Sequence, residues 1–240
     1  MISKVALIPA RKGSERLPGK NVADLNGHPL IAYTISSAKR SNLFDRVIVS
    51  TDCPQIAEIS KGYGAEVPSL RPIELSSSSS PDIFWVLLAI NDWLQLKDED
   101  FFAILRPTNP FRRPETIIRA FNSLFEDSSV DSIRAIRPIK EHPSKMWRGE
   151  PGQVLIPFDD SVSPETGAPN HSSPFQSLEK LWIQDASLEI ARVSAVRKYH
   201  SISGMRVLGF EMPNNEGFDI NYIEDLEIAR KIASENEIEF

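Results

Sequence analysis

Residues 8–21 read Ile-Pro-Ala-Arg-Lys-Gly-Ser-Glu-Arg-Leu-Pro-Gly-Lys-Asn, a stretch in which Arg11, Lys12, Arg16 and Lys20 are opposed only by Glu15. Four cations against one anion give a local charge of +3 in a chain whose formal net charge is −6. A short basic stretch is most often a solvated turn. Here Pro9 and Pro18 restrict the backbone around Gly13 and Gly19, which favours a shaped loop. Such a loop suits a polyphosphate, with side-chain cations and backbone amides converging on the anion. It is not a Walker A loop, because five residues separate Gly13 from Gly19-Lys20 and Asn21 stands where a magnesium-binding Ser or Thr belongs. Nor is it a dinucleotide fingerprint, since Gly13 has no glycine partner two residues away.

The elements that must position this loop follow from the pattern around it. Val5-Ala6-Leu7-Ile8 is apolar on both faces, as in a strand buried between helices, so the loop leaves the carboxyl end of a first strand. Helices are expected over about 29–40, 54–63, 114–125 and 222–234, with a further helix starting at Ser80-Pro81-Asp82. Strands are expected over 46–51, 101–105, 130–136, 181–184, 186–193 and 206–212, with a weaker extended piece at 66–70. This alternation predicts an α/β fold, a doubly wound and mostly parallel Rossmann-like sheet whose ligand crevice lies at the carboxyl edge. Between Pro138 and Lys180 the rhythm breaks, and that segment holds seven of the 18 prolines. It reads as an excursion from one domain spanning 1–240, since long irregular segments inside compact domains are usually functional or interaction arms.

Composition excludes several classes. Hydrophobic residues at 41% and charged residues at 25% match a soluble globular chain, and no apolar run is long enough to span a bilayer. The single cysteine, Cys53, read as a loop residue, rules out an intrachain disulfide framework and predicts a reducing, cytoplasmic setting. Acidic excess argues against a nucleic-acid partner, which would need an extended basic face. Residues 211–240 alone hold nine Asp or Glu against Arg230 and Lys231.

Six segments in order resemble the acylneuraminate cytidylyltransferase family, over nearly the full chain. They are Ile8-Pro-Ala-Arg-x-Gly-Ser-x-Arg-Leu-Pro-x-Lys-Asn21, Val49-Ser-Thr-Asp52, Leu70-Arg-Pro-x-Glu-Leu75, Leu105-Arg-Pro-Thr-Asn-Pro-Phe-Arg112, Gln184-x-Ala-Ser-Leu-Glu-Ile190 and Phe218-Asp-Ile-x-x-x-x-Asp-Leu226. The resemblance implies a cytidylyltransferase that moves CMP from CTP to the anomeric hydroxyl of a sialic-acid-like 2-keto sugar acid, releasing pyrophosphate. It implies that Arg11 and Lys20 neutralise the phosphates, that Ser14 and Asn21 add hydrogen bonds, and that the backbone at Ala10 passes the nucleotide. By the same likeness the segment around Arg71 and Ser80 reads the cytosine. The sugar is expected near Arg106, whose planar fork can accept a carboxylate, and near a Gln184-Asp185 turn. Arg112 and Arg113 have a weaker claim and could equally face water. The excursion implies a homodimer, with Met146, Trp147 and Phe158 as apolar anchors.

Magnesium is the implied cofactor, and here the chain departs from the family. Where the family carries Asp-x-Asp, this sequence has Asp219 and Asn221. Asn offers a neutral carbonyl oxygen to a hard cation but brings one charge fewer and cannot act as a base. Asn221 with Glu224 also has the spacing of a helix N-cap and its reciprocal partner. A second departure is Asp185, where the family commonly has Asn; one expectation is that Asp185 restores the missing carboxylate to the site. Serines at 78 and 79 replace a more usual Asp-Thr. Two alternatives remain open at this point: a nucleotide-binding homologue with lost or altered turnover, or a nucleotidyltransferase for another sugar or base.

Overall fold

A computed structural model describes residues 1–235. The last helix, expected to end at Ser234, lies inside that range. The chain divides into two compact units, residues 1–135 with 185–235, and residues 136–184.

The first unit is built on a six-stranded sheet. In chain order its strands are β1 (Lys4–Pro9), β2 (Arg46–Ser50), β3 (Phe101–Ile104), β4 (Ser132–Pro138), β5 (Trp182–Arg192) and β6 (Val207–Glu211). They lie side by side as β6-β4-β5-β3-β1-β2. β1 runs parallel to β2 and β3, pairing Val5 with Arg46 and Lys4 with Phe101, whereas β5 is antiparallel to β3. The carboxyl ends of β1, β2 and β3 therefore meet at one edge, where Ile104 of β3 pairs with Glu189 of β5.

The helices are α1 (Leu30–Arg40), α2 (Pro54–Gly62), α3 (Asp82–Leu87), α4 (Pro114–Glu126), α5 (Val193–Tyr199) and α6 (Ile223–Glu235). Strand alternation sorts the core into two layers. Ala6, Ile8, Val47, Val49, Phe101 and Ala103 pack with Ile31 and Ile35 of α1 and with Ile117 and Phe121 of α4. Val5, Leu7, Ile48, Phe102 and Ile104 face the other way, onto Trp85 and Val86 of α3 and Val196 of α5. Deleting a side chain such as Leu7 from a layer this closed costs about 2–5 kcal/mol. No helix among the described residues is long and apolar enough to cross a membrane.

Three local readings differ from expectation. The strands at 181–184 and 186–193 are one continuous strand, β5, so no turn lies at Gln184-Asp185; pairing with β3 supplies its hydrogen bonds and overrides the local polarity. α5 takes up the β-branched residues from Val193, a short helix whose packing decides what propensity does not. The segment at 66–70 contributes a single bridge, Glu66 to Ile48, before Pro68 ends it. Cys53 lies outside any helix or strand, as expected, and is buried just before α2.

The second unit contains a two-stranded ribbon, Trp147–Arg148 with Ile156–Pro157, and three single-turn helices. Met146, Trp147, Ile156 and Phe158 are exposed in it, and the Arg148 guanidinium stacks over the Phe158 ring at 4.8 Å.

Candidate active site

The basic loop is fixed at both ends. The Ala10 N–H donates to the Ser50 carbonyl at 2.9 Å and the Lys12 N–H to the Asp52 carboxylate at 2.8 Å, which ties the loop to the end of β2. The Asn21 side-chain amide donates back to the Arg11 carbonyl at 3.0 Å, so the loop closes on itself. Gly19 has φ 70°, a left-handed conformation that L side chains adopt at a cost, and it starts the helical turn Lys20–Val22. Together these contacts build the shaped loop that the prolines and glycines imply.

The loop borders a cavity of about 410 Å³, within the range of small-ligand sites. Arg11, Ser14, Arg16, Lys20 and Asn21 of the loop line it together with Arg71, Ser78, Asp82, Arg106 and Thr108. Lys20 Nζ donates to the Ile220 carbonyl at 2.9 Å. Burial pulls its pKa below the ordinary 10.5, with Arg16 and Arg11 acting in the same direction and Asp219 against it. An ammonium whose charge is undercompensated is poised to receive an anion.

Arg71 is 6% exposed, bonded to Ser50 Oγ at 2.9 Å and to the Ser50 carbonyl at 2.8 Å, with its guanidinium 4.9 Å from the centre of the Trp85 ring. Burial pushes it down to about 10, despite the opposing Asp82 and Asp52. Arg106 is held by two carboxylates: its Nη2 donates to Asp82 at 2.7 Å and to Glu189 at 3.0 Å. Burial disfavours its charge, but Glu189 and Asp82 outweigh that and raise its pKa.

Asp219 and Asn221 stand beside Lys20 at the start of α6. Asn221 Nδ2 donates to Asp219 Oδ2 at 2.6 Å, while Asp219 Oδ1 is buried without a hydrogen-bond partner. The acidic half of the expected cap forms, but from a different residue, and the Asn221 side chain takes no part in it. Asp225, not Glu224, accepts the backbone N–H of Asn221 at 2.8 Å and of Tyr222 at 2.9 Å, and the Asn221 side chain is turned to Asp219. Among the described residues no group of three His, Cys, Asp or Glu could hold a metal. One carboxylate oxygen without a partner fits a cation that arrives with phosphates, since magnesium is commonly held by one or two carboxylates plus substrate oxygens.

The cavity does not gather every expected residue. Ser80 is half-buried and Ser78 takes the lining position. Asp185 is 4% exposed, outside the lining, with Oδ1 accepting the Ser187 N–H at 2.7 Å and Gly217 packed against Oδ2. Gln184 is exposed on β5 and belongs to the second unit. Arg112 does not face water: it is 2% exposed and donates to the Ser187 carbonyl and to Thr34 Oγ1. Arg113 is exposed.

Asp82 and Glu189 are the site residues that the sequence reading did not single out. A signal existed for Glu189: a lone carboxylate in the run Ser-Leu-Glu-Ile-Ala, on a strand buried on both faces, must find a cationic partner.

The fold agrees with what this chain is similar to. A cytidylyltransferase family model matches residues 5–146. CMP-N,N'-diacetyllegionaminic acid synthase of Legionella pneumophila is 42% identical over 143 residues, 58% of this chain and 60% of its own length. N-acylneuraminate cytidylyltransferase of Escherichia coli is 35% identical over 65% of this chain, a match spanning only 34% of that protein. Pseudaminic acid cytidylyltransferase of Campylobacter jejuni is 29% identical over 98% of both chains. The solved structure of CMP:2-keto-3-deoxy-manno-octonic acid synthetase complexed with CTP superposes with a TM-score of 0.68, covering 97% of this chain and 99% of that one at 15% identity, which speaks to the fold. On the family match and these relatives together, the chain belongs to the cytidylyltransferase family that includes the acylneuraminate and pseudaminic acid enzymes.

Proposed function

We propose that the protein transfers CMP from CTP to the anomeric hydroxyl of a nine-carbon 2-keto sugar acid of the sialic, legionaminic or pseudaminic type, with magnesium. The observation that carries this reading is the 410 Å³ cavity, lined by Arg11, Arg16, Lys20 and Arg106 together. The relatives with CMP–sugar acid names support the acceptor class.

In this reading the acceptor hydroxyl attacks the α-phosphorus and the bond to pyrophosphate breaks. Catalysis then rests on positioning and on neutralising the charge that develops on phosphate oxygens. Arg11 and Lys20 supply cations, Ser14 and Asn21 shape the loop, and the Ala10 backbone borders the nucleotide. Arg71, braced by Ser50 and Trp85, supports the base-binding segment with Ser78 and Ser80. Asp219, with the neutral oxygen of Asn221, would hold magnesium, which neutralises the triphosphate when bound. Arg106 faces the carboxylate of the acceptor.

The exposed Met146, Trp147 and Phe158 of the second unit support a homodimer joined through that unit. A monomer in sedimentation at micromolar concentration would refute this part. The whole reading is tested by pyrophosphate release with CTP and magnesium against nine-carbon and eight-carbon keto acids, with UTP, ATP and GTP as competitors. Turnover with a nine-carbon acid and CTP alone is expected. Asn221 favours one second reading, a homologue that binds CTP without turnover, and CTP binding with no release across the panel would establish it.

A further inference from the structure

A chain of four charges runs from the sheet to the cavity wall. Glu189 is 3% exposed and sits opposite Ile104 in the ladder between β3 and β5. One oxygen accepts from Arg106 Nη2 at 3.0 Å and the other lies 2.9 Å from Arg134 Nη1. Arg134 is held in turn by Ser203 Oγ, 2.8 Å from its Nε. At the cavity end, Asp82 takes Arg106 Nη2 at 2.7 Å through one oxygen and the Trp85 indole N–H at 2.8 Å through the other. Each charged group thus has a partner on two sides, with Glu189 Oε2 meeting Arg134 as an ion pair rather than a hydrogen bond.

Stability does not account for this arrangement. Burying such ion pairs is often no better than burying apolar groups of similar volume, because desolvation consumes the attraction. What the network does deliver is a guanidinium with one orientation. Both protein carboxylates are taken by Nη2, nothing among the described residues accepts from Nη1, and Arg106 lines the cavity.

We propose that Glu189 is a positioning residue that presents Arg106 Nη1 to the carboxylate of the acceptor, and that Arg106 is thereby the residue that selects acids over uncharged sugars. The inference rests on the function proposed above. Held by Asp82 alone, the guanidinium would be free to pivot about that contact and follow the triphosphate; the second contact to Glu189 fixes its orientation. Its charge is already balanced by two carboxylates, so it contributes direction more than net field.

The experiment uses the full chain with CTP, magnesium, a nine-carbon 2-keto acid and the C1 amide of the same sugar. The wild type is expected to prefer the acid in kcat/KM. Arg106→Gln should collapse the acid-to-amide ratio by on the order of 10- to 100-fold, the worth of one charged hydrogen bond. Glu189→Gln should shift it in the same direction through the KM for the acid, with the Kd for CTP moving less than about 2-fold. Arg106→Lys should recover part of the ratio. An unchanged ratio in Arg106→Gln, or an equal loss for acid and amide in Glu189→Gln, overturns the proposal, as does a matching loss of CTP affinity. Thermal melts accompany each variant; if Glu189→Gln does not fold, Arg134→Lys, which loses the two-point hold on Ser203, reads the same split. If the wild type transfers CMP to neither sugar, the proposed function fails, and calorimetric binding to the CTP-loaded protein decides the inference separately. Acid binding that Arg106→Gln removes supports it, whereas acid binding that is absent or insensitive to Arg106 overturns it.

Discussion

Replacing Lys20 by Met separates binding from stability. In the free protein the Lys20 ammonium is half-buried, donates to the Ile220 carbonyl at 2.9 Å and has a pKa below its ordinary 10.5, with burial the largest cause. The sign of the stability effect follows. A folded-state pKa below the unfolded one means that the charged form costs stability below the folded pKa, and that the cost fades as pH rises towards 10.5. Met keeps most of the aliphatic stem and removes the buried charge, so the ligand-free variant should melt no lower than wild type at neutral pH. With CTP the sign reverses. A charged hydrogen bond to phosphate is worth about 1.5–3 kcal/mol, so the variant should bind CTP roughly 10- to 150-fold more weakly. Nucleotide binding should also raise the Lys20 pKa, so wild-type affinity should fall as pH rises through the free-state pKa, by at most about one decade per pH unit. Titration calorimetry from neutral pH to about 10, in buffers of different ionisation enthalpy, measures affinity and proton uptake together. Unchanged CTP affinity in Lys20→Met, or an alkaline fall of equal size in both proteins, would refute the assignment of Lys20 to the phosphates.

Three further outcomes are expected. Arg71→Lys cannot both span Ser50 Oγ and its carbonyl and stack on Trp85, so denaturant titration should register a loss of about 1–3 kcal/mol, together with weaker CTP binding. Gly217→Ala would put a methyl group 2.6 Å from Asp185 Oδ2 and 3.3 Å from Met212 Cβ; chemical denaturation should show about 1–3 kcal/mol of destabilisation, and a neutral result would mean that this corner yields. Asn221→Asp removes the donor to Asp219 Oδ2 and adds a charge, so manganese binding to the CTP complex, read by electron paramagnetic resonance, should tighten roughly 10-fold; unchanged affinity would place the metal elsewhere.

The alternation of elements and the chemistry of the first loop are legible in the amino-acid order alone. Strands buried on both faces announce themselves as apolar runs, and four cations between two prolines are a local fact. Gly19 shows the same economy, because a left-handed residue before a helical turn is a requirement of the backbone itself. What the tertiary structure decided is which charges meet. Arg112, free to face water in the sequence, is buried and bonded to the Ser187 carbonyl, 75 residues away. Asp185, legible as a replacement carboxylate, turns to the backbone of Ser187 instead of the cavity. The cap of α6 changed partner for a similar reason: Glu224 and Asp225 both stand in its first turn, and the folded chain uses Asp225 and leaves the Asn221 side chain to Asp219. Glu189 and Asp82 are drawn to Arg106 from 83 and 24 residues away. Spacing along a chain fixes which residues share a strand or a helix face, but an ion pair between distant elements depends on sheet order and register, which only the folded chain sets.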